Sequence, residues 1–144
     1  MKTGVSVGDA MNTKPIVVLP IMNIQNCTVL MLKKKVGSLL VVEKTKLVGI
    51  ITEKDILRQI VAKHLSPKKL TVKDIMTKKV KTIEPDKDLY EAMMFMKKHK
   101  LRRLPVLHNG ELQGLLTEKD IMNIQPTLLD IAEEKSTFFE TEET

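Results

Sequence analysis

The sequence predicts an α+β protein made of two pseudo-symmetric βαββα units packed together. Three observations predict this: an internal repeat, hairpin signals at matching places in both copies, and capping residues at matching helix starts. Aligned with itself at an offset of 65, the chain matches without gaps from residues 7–60 to residues 72–125, and seventeen of the 54 pairs are identical. The block Thr52-Glu53-Lys54-Asp55-Ile56 recurs unchanged as Thr117-Glu118-Lys119-Asp120-Ile121. A solenoid has shorter periods and more copies. Two long copies instead suggest units that each bury one face against the other.

The elements follow in the same order in each copy. A helical lead-in near residues 7–11 (72–76) precedes a strand around residues 16–19 (80–83), and Pro20 or Pro85 ends that strand. A helix of about three turns then starts at Asn23 or Asp88, both good N-cap residues. Leu89, Ala92, Met93 and Met96 recur at helical spacing, which marks a core face. Two strands follow, residues 39–42 and 47–51, matched by 104–107 and 112–116. In the second copy Asn109-Gly110 is a hairpin signal, because both residues tolerate positive φ. A last helix starts at Thr52 or Thr117. The units are expected to run 1–65 and 66–126, with a short helix at 128–131 and an acidic tail in 127–144. Pro67 in the short join between copies argues for tight packing over a flexible tether.

Composition narrows the function classes. Apolar residues make up 42% of 144 residues, enough for an ordinary core, while aromatics are 3% and Trp is absent. The apolar runs are too short to span a bilayer, and the N-terminus lacks the pattern of a secretory signal, so a cytoplasmic protein without membrane contact is expected. The single Cys27 excludes an internal disulfide and reads as a small buried helix residue. Residues 127–144 carry six carboxylates against Lys135 alone, which leaves +11 for the rest of a chain whose net charge is +6. A basic body attracts phosphates, but Tyr90, Phe95, Phe138 and Phe139 form no stacking set for nucleic acid. His64, His99 and His108 have no partners at metal-ligand spacing, and no nucleophile motif or phosphate loop is present. The chain reads as neither an enzyme nor a metal or cofactor carrier.

The duplicated Thr-x-x-Asp element is the strongest chemical signal. A strand delivers Thr to the first turn of a helix, where unpaired N–H groups favour an anion. Its hydroxyl can donate to a phosphate oxygen, and Asp three residues on is an acceptor-only group suited to the paired hydroxyls of a ribose. The same spacing also makes a capping box, which needs no ligand. Gly49 and Gly114 allow another backbone to come close to the strand.

With Gly49-Ile50-Ile51-Thr52-Glu53-Lys54-Asp55, Gly114-Leu115-Leu116-Thr117-Glu118-Lys119-Asp120, Leu104-Pro105-Val106 and Asp74-Ile75-Met76-Thr77, the chain resembles the cystathionine-β-synthase (CBS) domain family in its tandem form, the Bateman-type module. The resemblance covers about residues 5–126. It implies a non-catalytic, stand-alone regulatory module that binds an adenosine nucleotide such as AMP, ADP or ATP in clefts between the repeats. It also implies a homodimer formed through helical faces, and an effector protein that reads the bound state. One cleft would hold Thr52 and Asp55 opposite Thr77, Lys79, Val80 and Lys81, with Leu101, Arg102, Arg103 and Pro105 nearby. The other would hold Thr117 and Asp120 opposite Asn12, Lys14, Pro15 and Ile16, with Val36 and Gly37 nearby. Arg102-Arg103 stand where the first copy has Gly37-Ser38, so the clefts should differ in phosphate contacts. The competing readings are a ligand-free interaction module, an S-adenosylmethionine binder and a nucleic-acid binder.

Overall fold

A computed structural model of the chain describes residues 2–124. The elements in order are α1 (Val7–Ala10), β1 (Val17–Val18), α2 (Ile24–Lys34), β2 (Ser38–Glu43), β3 (Lys46–Thr52), α3 (Glu53–Ile56), α4 (Val72–Ile75), α5 (Leu89–His99), β4 (Arg103–His108), β5 (Glu111–Thr117) and α6 (Glu118–Ile124). A π-helical turn, Leu57–Val61, continues α3. The expected helix at 128–131 and the acidic tail lie outside the described residues.

Two compact units form among the described residues, 15–80 and 2–14 with 81–124. Neither is simply one sequence repeat, because each lead-in helix packs with the other copy's elements. In the 15–80 unit, Val72 N and Lys73 N at the start of α4 donate to Met22 O and Pro20 O at 2.8 and 3.0 Å. In the other unit, Val7 N and Gly8 N at the start of α1 donate to Lys87 O and Pro85 O at 2.8 and 2.9 Å. These are the N–H groups a helix start leaves without internal partners. Val72 is fully buried in the core with Ile24, Cys27, Met31, Leu39, Val41 and Ile51. Val7 is fully buried with Leu89, Ala92, Met96, Leu104, Val106 and Leu116, the same positions one repeat on. Each valine contributes on the order of 1.5–3 kcal/mol by this burial.

The 15–80 unit has a three-stranded sheet in the order β1-β2-β3, with β1 parallel to β2 and β2 antiparallel to β3. The second unit has only the β4-β5 hairpin as a sheet. The strand expected at residues 80–83 is reduced to a single bridge between Ile83 and Val106. Pro105 accounts for the loss. In the first copy Leu40 N donates to Ile16 O at 3.2 Å; Pro105, at the position of Leu40, has no N–H to give to the matching carbonyl. The bonds that need no such donor survive, Ile83 N to Pro105 O at 3.1 Å and Leu107 N to Ile83 O at 3.0 Å.

The helix caps are the expected residues. Asn23 accepts from Asn26 N at 2.7 Å, and Asp88 accepts from Tyr90 N at 2.9 Å. Both helices end on a lysine in the left-handed region, Lys35 (φ 56°) and Lys100 (φ 55°). The β2–β3 turn holds Lys44 and Thr45 at φ 51° and 67°, where the β4–β5 turn has Asn109 and Gly110. A β-branched residue at that φ is strained. Cys27 is buried, and that burial pushes its thiol up to about 11, so it packs as an inert apolar residue. Among the described residues, no helix is long and apolar enough to cross a membrane.

Asp88 does more than cap α5. Its carboxylate also accepts from Thr3 N, Thr3 Oγ1 and Gly4 N at 2.9–3.1 Å, tying the N-terminal segment down. Loss of hydration pushes this carboxyl up, but the bonds from Thr3, Tyr90 and Gly4 outweigh it and bring it from 3.8 to about 2. A carboxyl depressed by folding stabilises above its unfolded value, and that contribution disappears as pH falls through its folded value. Asp88→Ala should therefore lower stability by about 1 kcal/mol at neutral pH. The deficit should shrink between about pH 4 and pH 2, as followed by urea denaturation across that range.

Candidate functional site

The Thr-x-x-Asp elements are built alike in both units. β3 ends in Thr52, whose extended backbone (φ −119°, ψ 163°) turns directly into α3. Asp55 N donates to Thr52 Oγ1 at 3.2 Å, and Thr52 N donates to Asp55 Oδ2 at 2.9 Å. At the end of β5, Asp120 N donates to Thr117 Oγ1 at 3.2 Å and Thr117 N to Asp120 Oδ2 at 2.9 Å. Both elements are thus reciprocal capping boxes with the shorter Asp in place of the usual Glu. This cap leaves chemistry over. Thr accepts with its oxygen and keeps its O–H hydrogen, and among the described residues no bond is formed by Oδ1 of either Asp.

Each element lies next to a segment from the other repeat, within its own unit. Thr77, just after α4, exchanges both backbone bonds with Ile50 (3.0 and 2.9 Å), two residues before Thr52. Asn12, just after α1, exchanges both with Leu115 (2.9 and 3.0 Å), two residues before Thr117. The adjoining glycines allow these approaches. A Cβ on Gly49 would stand 2.6 Å from Met76 Sδ and 2.9 Å from Thr77 O; one on Gly114 would stand 2.6 Å from Asn12 O and 2.8 Å from Met11 Sδ. The close backbone approach expected at both glycines is present.

The start of the preceding strand forms the other flank. Glu53 N donates to Gly37 O at 3.0 Å, and Glu118 N donates to Arg102 O at 2.9 Å. Ser38 is paired with Thr52, and Arg103 with Thr117. The structure therefore groups Thr52, Asp55, Thr77, Gly37 and Ile16 around one sheet end of the 15–80 unit, with Pro15, Val36, Lys79 and Val80 in the same unit. Thr117, Asp120, Asn12, Arg102 and Arg103 are grouped in the second unit, which also holds Lys14, Lys81, Leu101 and Pro105. This corrects the expected grouping, which set Lys81, Leu101, Arg102, Arg103 and Pro105 with Thr52, and Pro15, Ile16, Val36 and Gly37 with Thr117: hairpin pairing ties each strand start to the Thr of its own repeat. Lys14 N donates to Asn12 Oδ1 at 3.0 Å, fixing the turn after the Asn12 bridge.

Sequence reasoning passed over Glu118. Its Oε1 lies 3.7 Å from Arg102 Nε, while its Oε2 is buried and has no hydrogen-bond partner among the described residues. Burial raises its carboxyl above the ordinary range, against the opposing pull of the Arg102 and Arg103 charges. The sequence signal was the pairing of an unchanged Glu with Arg102 in one copy and Gly37 in the other. Glu53, its counterpart, is exposed, with Oε1 3.3 Å from where a Cβ on Gly37 would be. Among the described residues, no group of three or more His, Cys, Asp or Glu is placed to hold a metal ion.

The duplicated cap beside a close-approach glycine agrees with what the chain is similar to. The CBS domain family model matches residues 7–62 and again residues 72–126. The chain belongs to the CBS domain family. It carries the domain twice, as a tandem pair. An uncharacterized protein of Methanopyrus kandleri is 37% identical over 109 residues, 74% of this chain and 56% of the relative. The inosine-5′-monophosphate dehydrogenase of Nitrosopumilus maritimus is 41% identical over 92 residues, 62% of this chain but 18% of the enzyme. The chain thus spans little more than half of the first relative and a small part of the second. Among solved structures, the CBS domain pair of protein MJ0100, in complex with 5′-methylthioadenosine and S-adenosyl-L-methionine, superposes with a TM-score of 0.75 at 26% identity, covering 85% of this chain and 97% of that one.

Gly49→Ala and Gly114→Ala should each destabilise this CBS pair by about 1–3 kcal/mol, because the added methyl meets backbone oxygen and a methionine sulfur. Gly110→Ala, whose Cβ meets nothing within 4 Å, isolates the separate cost of positive φ. Chemical denaturation of the three variants measures both.

Proposed function

We propose that this CBS pair is a non-catalytic regulatory module that binds an adenosine nucleotide where the Thr-x-x-Asp cap of one repeat meets the segment after the lead-in helix of the other. A partner protein then reads the bound state. The observation carrying this reading is the capped but still open pair of groups, Thr52 with Asp55 and Thr117 with Asp120, each beside the other repeat's Thr77 or Asn12. The Asp Oδ1 atoms would accept from ribose hydroxyls, and the Thr hydroxyls would donate to phosphate. Arg102 and Arg103 at the start of β4 favour a phosphorylated ligand in the unit of Thr117, since guanidinium forks match phosphate oxygens. The complexes of MJ0100 support an adenosyl ligand and favour, as the second reading, a sulfonium or thioether adenosine compound in place of a phosphate.

The capping boxes also fit a ligand-free interaction module, and one substitution separates the two. Asn in place of Asp55 or Asp120 retains an oxygen for the Thr N–H but replaces an acceptor by an NH2 donor. Asp55→Asn and Asp120→Asn should leave the melting temperature nearly unchanged while weakening adenosine compounds at the altered site about tenfold or more, as expected for loss of a bond to a charged group. Calorimetry with AMP, ATP, adenosine and S-adenosylmethionine measures this. Unaltered binding in both variants would reduce the element to a cap. Arg103→Ala should weaken AMP much more than adenosine, and equal losses refute the phosphate role.

The same reading places a second copy of the chain on exposed helical faces. Val29 and Leu32 on α2, and Leu57 and Val61 on the π-helical turn, are large apolar residues left open, Leu32 by 74%. A homodimer covering them should appear in light scattering, and Leu32→Glu should shift it towards monomer. A monomer at high concentration would overturn the dimer.

A further inference from the structure

The two Thr-Glu-Lys-Asp blocks are identical, yet their glutamates face different neighbours. Glu53 is exposed and lies against Gly37, with no basic side chain at that position or the next. Glu118 is drawn in against the start of β4. Its backbone N–H is bonded to Arg102 O at 2.9 Å, its Oε1 lies 3.7 Å from Arg102 Nε, and its Oε2 is buried. The charge of Arg103 also acts on it. A phosphate drawn to Arg102 would meet the Glu118 carboxylate already beside the guanidinium. That carboxylate lies next to Thr117, at the mouth of the capped helix.

We propose that Glu118 is a specificity-determining residue, a resident anion that competes with the phosphate of a nucleotide for Arg102 and so sets how strongly this unit prefers phosphorylated over unphosphorylated adenosine. The inference rests on the adenosine-nucleotide reading above. Two anions beside one guanidinium repel each other, so a nucleoside phosphate at Arg102 works against the carboxylate and favours its displacement, whereas adenosine leaves the pair intact. The poor geometry of the pair makes displacement cheap: Nε to Oε1 is long for a charge-assisted bond, and Oε2 gains no partner among the described residues. Burial holds the Glu118 carboxyl above its ordinary range, in keeping with a charge that is incompletely compensated where it stands. The first unit has no such competitor for an arginine, because it has no arginine there.

The test is Glu118→Gln, which keeps the shape and removes the charge, titrated with AMP, adenosine and inorganic phosphate in calorimetry and phosphorus NMR. AMP affinity should rise about two- to fivefold, the range of a partly exposed ion pair, with adenosine unchanged. In an Arg102→Ala background the same substitution should give no such gain. Weaker AMP binding by Glu118→Gln would mean that the carboxylate positions Arg102 for the ligand, and would overturn the competition. An equal gain for adenosine, or no change for AMP, would overturn it as well. Should no adenosine compound bind the wild type or the variant, the adenosine reading fails, and inorganic phosphate decides the role of Glu118: tighter phosphate binding by the variant upholds the competition, and equal or weaker binding ends it.

Discussion

The arrangement depends on one backbone constraint, met twice: a strand of one repeat must accept, edge to edge, the chain that leaves the other repeat's lead-in helix. Ile50 with Thr77, and Leu115 with Asn12, exchange both main-chain hydrogen bonds, and the neighbouring Gly49 and Gly114 have no Cβ to keep the two backbones apart. A side chain at either position would strike carbonyl oxygen before the bonds could close. These pairings fix where the lead-in helices lie. Once Val72 and Val7 are carried into the other repeat's core, each compact unit is a composite of both repeats. Neither repeat could bury its apolar face in this way alone, which is the physical reason for having two.

The same constraint explains why a helix cap stands at the proposed binding site. The first-turn N–H groups of Glu53 and Asp55, and of Glu118 and Asp120, are already bonded within the unit, and the cap holds Thr and Asp in fixed rotamers relative to each other. Capping and ligand binding are commonly treated as alternatives, but here the proposed ligand would use atoms that the cap leaves over. The box consumes one Thr lone pair and Asp Oδ2, leaving the hydroxyl hydrogen and Oδ1 without partners among the described residues. A ligand contacting those atoms would pay little ordering entropy, because the cap has already frozen both side chains.

Much of this was legible in the sequence, for identifiable reasons. The repeat gave the number and order of elements, since identical residues at a fixed offset imply identical local structure. Asn23 and Asp88 were readable as caps because few residue types can satisfy the donors at a helix start. Gly49 and Gly114 were readable as close-approach points because a glycine inside a strand otherwise weakens it. Local patterns could not reveal that α1 and α4 pack with the opposite repeat, because a four-residue helix carries no sign of which core receives it. The reduced strand at residues 80–83 was hidden by its own composition: Thr82 and Ile83 favour a strand, and the deciding residue, Pro105, lies on the partner strand. Glu118 was missed for the opposite reason, since its identity with Glu53 concealed the difference in what each faces.

Several differences between the two copies fall together at the start of β4. Gly37, Ser38 and Leu40 in the first copy correspond to Arg102, Arg103 and Pro105 in the second. The proline removes a donor and with it the first parallel pairing, a loss of one hydrogen bond worth about 1 kcal/mol net. The segment through Lys81 is therefore held to β4 only from Ile83 onward. The arginines add two positive charges at the same point, and Glu118 answers them. A duplicated scaffold needs none of these changes for packing, because the first copy folds the equivalent strand start with Gly, Ser and Leu. What the changes alter is charge and backbone freedom beside a capped Thr and Asp, and that is where a phosphate-bearing ligand would tell one unit from the other.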